Sequence, residues 1–286
     1  MPGDRRHLPS TPQTTRRTAR WPALAAGILI AWATGPLATS VAADGYGAKP
    51  ADLSHHLAKL VRAYPDFISS YDADFVIMKN GQKYKVSDGR STKSFDQMLE
   101  DPDIDDMFYA PYFAGQEPKP PPKNSDPGRV RYEPLFVAMY GDCYKGEVTT
   151  RLRNINWLPR HGGGTVSVTT VNGVDKALER VSAELDRLPK EDMKYLKPSA
   201  GTYACRSIAG SRARSMHAYG AAIDLNLAVS HYWRWSGGPR VWRNSFPKKI
   251  IDVFERNGFI WGGRWYHFDT MHFEYRPELL PDAHRR

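Results

Sequence analysis

The hydrophobic pattern divides the chain into segments of different period. Leu53, Leu57, Leu60, Val61 and Tyr64 recur three or four positions apart, which predicts an amphipathic helix. FVIMKNGQKYKV (75–86) then alternates around Asn80-Gly81, a dipeptide that strongly favours a tight hairpin turn. RYEPLFVAMYG (131–141) is apolar enough for a buried strand or the start of a helix. Val148–Val171 mixes polar and apolar positions and is interrupted by HGGG at 161–164. Val174, Ala177, Leu178, Val181, Leu185 and Leu188 form one stripe, so a helix is expected over 174–188, stopped by Pro189. Another is expected from Pro247 through Ile250, Ile251 and Phe254 to Gly258. Short strand-like runs stand on either side of it, GAAIDLNL (220–227) and TMHFEY (270–275). GQEPKPPPKNSDPGR (115–129) reads as a linker or an extended surface loop.

The first 43 residues follow a different rule. Five arginines and one acid occupy 1–20, an uncharged stretch with the apolar core ALAAGILIAWA runs from Trp21 to Ala43, and small residues precede Asp44. Basic, apolar, small is the order of a secretory signal peptide. The competing reading is an uncleaved membrane anchor, since 23 uncharged residues could just span a bilayer. The apolar core is shorter than that and Gly35-Pro36 interrupts its end, which favours cleavage. Either way the bulk of the protein is expected outside the cytoplasm, periplasmic or secreted.

Export changes the charge balance. The whole chain carries 40 basic and 31 acidic side chains, a formal +9; without residues 1–43 these become 35 and 30, or +5. No basic stripe with interleaved aromatics marks a nucleic-acid surface. The remaining residues suffice for one large core with an N-terminal extension. Cys143 and Cys205 are the only cysteines, so in an oxidising compartment one disulfide is expected.

The candidate chemistry lies in SMHAYGAAIDLN (215–226). His217 and Asp224, seven apart, would share a helix face but oppose each other on one straight strand. Gly220 between them permits a bend that could turn both inward. WYHFDTMHFEYRPELL (265–280) adds His267, Asp269 and His272. A catalytic zinc takes three protein ligands and keeps one position for water, with a carboxylate nearby to take a proton. The bland alternatives are a strand histidine bonded to a carbonyl and an Asp-Thr turn.

Together these stretches resemble the S-x-H-x-x-G-x-A-x-D signature and the closing D-x-x-H motif of the M15 metallopeptidases, the D-alanyl-D-alanine carboxypeptidase group. The resemblance covers about Thr202–Leu280. It implies His217, Asp224 and His272 as Zn2+ ligands, one ion per chain, and Asp269 as general acid/base. It also implies an α+β fold, a small antiparallel sheet cradling the zinc site and flanked by helices, here with an N-terminal α/β extension. Carboxypeptidases of the group commonly have Glu where this chain has Asp269; Asp looks more like the L-Ala-D-Glu endopeptidase branch. Arg206 resembles the family's upstream arginine, with Arg212 and Arg214 as rivals. It would contact a substrate carboxylate or the oxyanion. Ser215 would bind substrate or orient the loop. Glu274, on the strand face of His272, is a candidate to orient a ligand. His267 reads as a rim residue, and Tyr232–Trp235 as core or substrate wall.

The expected organisation is a signal peptide (1–43), an extension (44–147) containing the Pro-rich segment 115–129, and a zinc peptidase domain (148–286). The expected partners are peptidoglycan stem peptides, with no nucleic acid, and a membrane only through an uncleaved anchor. The alternative is a non-catalytic zinc-containing cell-wall-binding module, for which Asp269 would be superfluous.

Overall fold

The computed structural model describes residues 50–281, except Ser91, Ala209, Ser236 and Gly238. The export segment read at 1–43 lies outside the described residues. No described helix is long and apolar enough to cross a membrane.

Helix α1 (Leu53–Ala63) starts where the Asp52 side chain accepts a hydrogen bond from the His55 backbone N–H. It buries Leu57 and Leu60, while His55 stays exposed and His56 stacks on Phe108. A three-stranded antiparallel sheet follows: β1 (Ile68–Tyr71), β2 (Phe75–Met78) and β3 (Lys83–Lys85). Its β2–β3 turn is the one centred on Asn80-Gly81. Helix α2 (Phe95–Glu100) is closed by a capping box between Ser94 and Gln97. The ambiguous apolar run at 131–141 is a helix, α3 (Glu133–Tyr140), with Pro134 in its first turn. Strands β4 (Leu152–Asn156) and β5 (Thr165–Thr169) form an antiparallel pair around the HGGG loop. Helix α4 (Val174–Leu185) ends three residues before the stripe does: Arg187 and Leu188 bond back three positions instead of four, so the last turn tightens. A short helix α5 (Met193–Leu196) comes next.

The C-terminal sheet has the order β6-β8-β7, all antiparallel, with β6 at Ala222–Asp224, β7 at Phe259–Trp261 and β8 at His272–Tyr275. Helix α6 (Lys248–Arg256) packs behind it, and Phe254 stacks on Phe273 with ring centroids 3.9 Å apart. This is an α+β arrangement of helices and small antiparallel sheets.

One apolar cluster runs through all of it. Leu57 and Leu60 of α1, Val76 of β2, Phe136 of α3, Val168 of β5, Leu178 of α4 and Phe273 of β8 belong to the same core. Burying each such side chain contributes about 1.5–3 kcal/mol. The region before residue 148 therefore shares its core with the sheet that follows.

The Pro-rich stretch does not run free of the fold. The Gly115 backbone N–H donates to Glu255 (2.6 Å), Arg264 donates to the Gln116 carbonyl (2.9 Å), and Asp126, Pro127 and Gly128 are buried. A linker reading rests on composition, and composition does not register bonds to residues about 140 positions away.

Cys143 and Cys205 form a disulfide across 62 positions. It ties the end of α3 to the loop that precedes His217. A Cys143→Ser, Cys205→Ser variant should lose about 2–4 kcal/mol of stability. Urea unfolding with and without reductant reads this directly; coincident curves would contradict it.

Candidate metal centre

Strand register brings the first two polar groups together. Asp224 on β6 stands directly opposite His272 on β8, so both side chains leave the sheet on one face. Ala222 opposes Glu274 one step along the same face, and the small alanine leaves room for the longer acid. His217 arrives from the 3-10 turn Met216–Tyr219, whose first backbone donor is capped by Ser215: its hydroxyl accepts from the His217 N–H at 3.3 Å. Gly220 then turns the chain into β6 with φ +66°, and a Cβ there would lie 2.7 Å from Leu152 Cδ2. The bend that the sequence allows is the bend that the chain makes.

Three atoms converge as a result. His217 Nε2, His272 Nδ1 and Asp224 Oδ1 lie 3.0–3.2 Å from one another. Their tautomers follow from the other ring nitrogens. His217 Nδ1 is 2.7 Å from the Thr202 carbonyl oxygen, an acceptor, so it carries the hydrogen. His272 Nε2 is 3.0 Å from Glu274 Oε2, likewise an acceptor. In the neutral rings, two lone pairs and a carboxylate oxygen then face one point with no donor among them.

Such a triangle is repulsive unless a cation occupies it. Burial works against a charged His272, but the hydrogen bonds to Asp224 and Glu274 outweigh it and raise its pKa to about 10. Asp224 is held well below the usual carboxylate range: burial opposes this, and the two histidines outweigh it. The donor set calls for one positive charge, a proton or a metal ion. It also has the dimensions a metal needs, since tetrahedral coordination at ~2.0–2.1 Å spaces donors about 3.3 Å apart. His217, Asp224 and His272 can thus hold a metal ion.

Asp269 lines the same cleft, of about 270 Å³. Its loop folds back on β7, where the Asp269 N–H donates to the Gly262 carbonyl (3.0 Å). A side chain at Gly262 would meet the Asp269 carbonyl oxygen at 2.6 Å, so only glycine admits this approach. Asp269 Oδ1 is shielded from solvent and has no hydrogen-bond partner among the described residues. Burial pushes the carboxyl up to about 7, where it can both take and give a proton near neutrality.

The arginines separate. Arg206 is exposed at the cleft. Arg214 is committed to Glu133 and to Asp142 (2.8 Å), and Arg212 lines a different pocket. Ser215 and His267 line the cleft, as do Tyr232 and Trp235; Trp233 instead packs edge-on against His267. The His267 ring is fixed by Asp126, 2.5 Å from Nδ1. His161 lies elsewhere, on a surface pocket among lysines. Asp126, Arg129 and Arg131 escaped the sequence reading. The last two line the cleft, and the only local signal is the Asp-Pro-Gly-Arg turn in a stretch that looks like a linker.

Comparison with known proteins adds one match. Residues 209–275 fit the M15 peptidase family model described as D-alanyl-D-alanine carboxypeptidase. Comparison with curated proteins and with solved structures finds no match. His217, Asp224, Asp269 and His272 all fall inside the fitted stretch, and that stretch belongs to the M15 peptidase family.

Proposed function

We propose that this chain is an exported zinc peptidase that hydrolyses peptidoglycan stem peptides. The observation that carries the reading is the convergence of three lone-pair donors beside Asp269, whose Oδ1 is shielded from solvent and has no partner among the described residues. His217, Asp224 and His272 would hold the ion. Zinc there would supply Lewis acidity, polarising a carbonyl and making water acidic near neutrality. Asp269 takes a proton from the attacking water as the C–O bond forms, and returns it to the amide nitrogen as the C–N bond breaks. Glu274 fixes the His272 tautomer, and Ser215 holds the turn that presents His217. Arg206 offers a guanidinium at the cleft mouth to a substrate carboxylate or to the developing oxyanion. The disulfide and the signal-like pattern at 1–43 support action in an oxidising envelope compartment. Mass spectrometry of stem-peptide digests decides between loss of a terminal D-Ala and cleavage at L-Ala-D-Glu; intact peptides with every stem fragment would end the reading.

Asp269→Ala should keep about one zinc per chain, yet lose ~10²–10⁴-fold in kcat. Metal analysis beside turnover separates this from a ligand role, and unchanged turnover would make Asp269 a turn residue and not the base. Glu274→Gln should destabilise the fold and, in the folded protein, weaken zinc about 10- to 100-fold, because the His272 ring loses the charge that orients it. Competition with a chromophoric chelator measures that loss.

Zinc affinity should also depend on pH. The raised pKa of His272 means that the metal-free site carries a proton through the neutral range, and metal must displace it. Affinity is then expected to rise about tenfold per pH unit between roughly pH 6 and 8, with about one proton released. Calorimetry in buffers of different ionisation enthalpy counts that proton; a count of zero would reject the assignment.

A further inference from the structure

Three arginines and three acids line the cleft: Arg129, Arg131 and Arg206 against Asp224, Asp269 and Glu274. With neutral histidines these charges cancel, so a divalent ion would leave the cleft with a surplus of two positive charges. Arg131 is satisfied within the protein. It donates to the carbonyls of Gly128 and Arg214, both at 2.9 Å, and pairs with Glu274 at 3.4 Å. Arg129 differs. Among the described residues its one ion pair is to Asp126 at 3.5 Å, and the Asp126 oxygens already accept from the His267 backbone (2.9 Å) and ring (2.5 Å). Only 13% of its side chain is exposed, and its guanidinium lies 5.9 Å over the Trp265 ring. Arg129 and Arg206 line the same cleft as Asp269.

We propose that Arg129 is the residue that grips a substrate carboxylate beside the scissile amide, with Arg206 as a second, more mobile guanidinium. The inference rests on the peptidase reading and names what that site selects. A guanidinium stacked on an indole, backed by a buried acid and short of acceptors is a preorganised fork for a carboxylate. Arg206 is exposed and, among the described residues, has no side-chain partner, so it holds no fixed direction until substrate arrives. Arg129 comes from the Pro-rich segment, 80 positions before the stretch that fits the peptidase family. Selectivity is thus supplied by the part of the chain that the family match does not cover. Two peptide carboxylates have the required chemistry: the terminal group of a D-Ala-D-Ala peptide and the α-carboxylate of D-Glu in an L-Ala-γ-D-Glu peptide.

The test uses the full exported chain, Arg129→Gln, Arg129→Lys and Arg206→Gln, with both peptides as free acid and as amide. Steady-state kinetics is run on the zinc-loaded protein, and calorimetric binding of the same peptides on the metal-free protein. The parent should favour one acid over its amide by about 10- to 100-fold in KM and in Kd, the worth of a charged hydrogen-bonded pair. The peptide that shows this ratio identifies the carboxylate. Arg129→Gln should erase the ratio with kcat nearly unchanged, and Arg129→Lys should restore only part, which also guards against a misfolded glutamine variant. A ratio that survives Arg129→Gln overturns the inference, as does one that only Arg206→Gln removes. If no peptide is cleaved while metal-free protein still prefers the acid through Arg129, the carboxylate site stands and the peptidase reading falls.

Discussion

A buried chain of charges holds the two ends of this protein together. The His272 ring meets Glu274, Glu274 meets Arg276 (3.1 Å), Arg276 meets Glu278 (2.6 Å), and Glu278 accepts from the Tyr64 hydroxyl (2.6 Å) at the end of α1. Arg276 and Glu278 have no solvent exposure, and Arg276 also donates to the Gly128 carbonyl and stacks against Phe136 of α3. With Arg131, the cluster has two arginines and two glutamates, so it is neutral only when complete. Removing one partner strands a buried charge, at a cost of about 3–5 kcal/mol. Helix α1, helix α3 and the 126–131 segment are therefore bound to β8, the strand that carries His272. The 126–131 segment, which composition presents as part of an appendage, lines the candidate metal site through Arg129 and Arg131.

That arrangement explains which residues could be read from the sequence. His217, Asp224, Asp269 and His272 are legible because each pair is local: a turn and a strand join the first two, and one loop joins the last two. Arg129, Arg131 and Asp126 carry no such mark. Beyond the bonds within 126–131, the partners of their side chains lie 83 to 143 positions away, and a Pro-rich stretch looks the same whether it crosses solvent or a cleft. Arg214 illustrates the converse. It sits beside the motif, and only the fold shows that Glu133 and Asp142 occupy it.

The same distinction runs through the secondary structure. Helices α1, α4 and α6 announce themselves by period, and the β2–β3 hairpin by its turn dipeptide. The run at 131–141 does not, because a helix apolar on most faces and a buried strand share one composition; Pro134 in its first turn resolves it. The pairing of β4 with β5 was equally hidden, since Val148–Val171 has no clean alternation.

The disulfide has a consequence for timing. Cys205 immediately precedes Arg206, and the hairpin that follows is held by Ile208–Ala213 and Ser215–Arg206 backbone bonds, then leads into His217. In a chain still reduced, the loop carrying Arg206 would lose its covalent attachment to the end of α3, and with it a support of His217, whose ring and carbonyl bond to Thr202 and Ala204 on that same loop. The cross-link thus stands behind both the candidate metal donor His217 and the cleft-lining Arg206, and both would gain their final support only when the two thiols are oxidised.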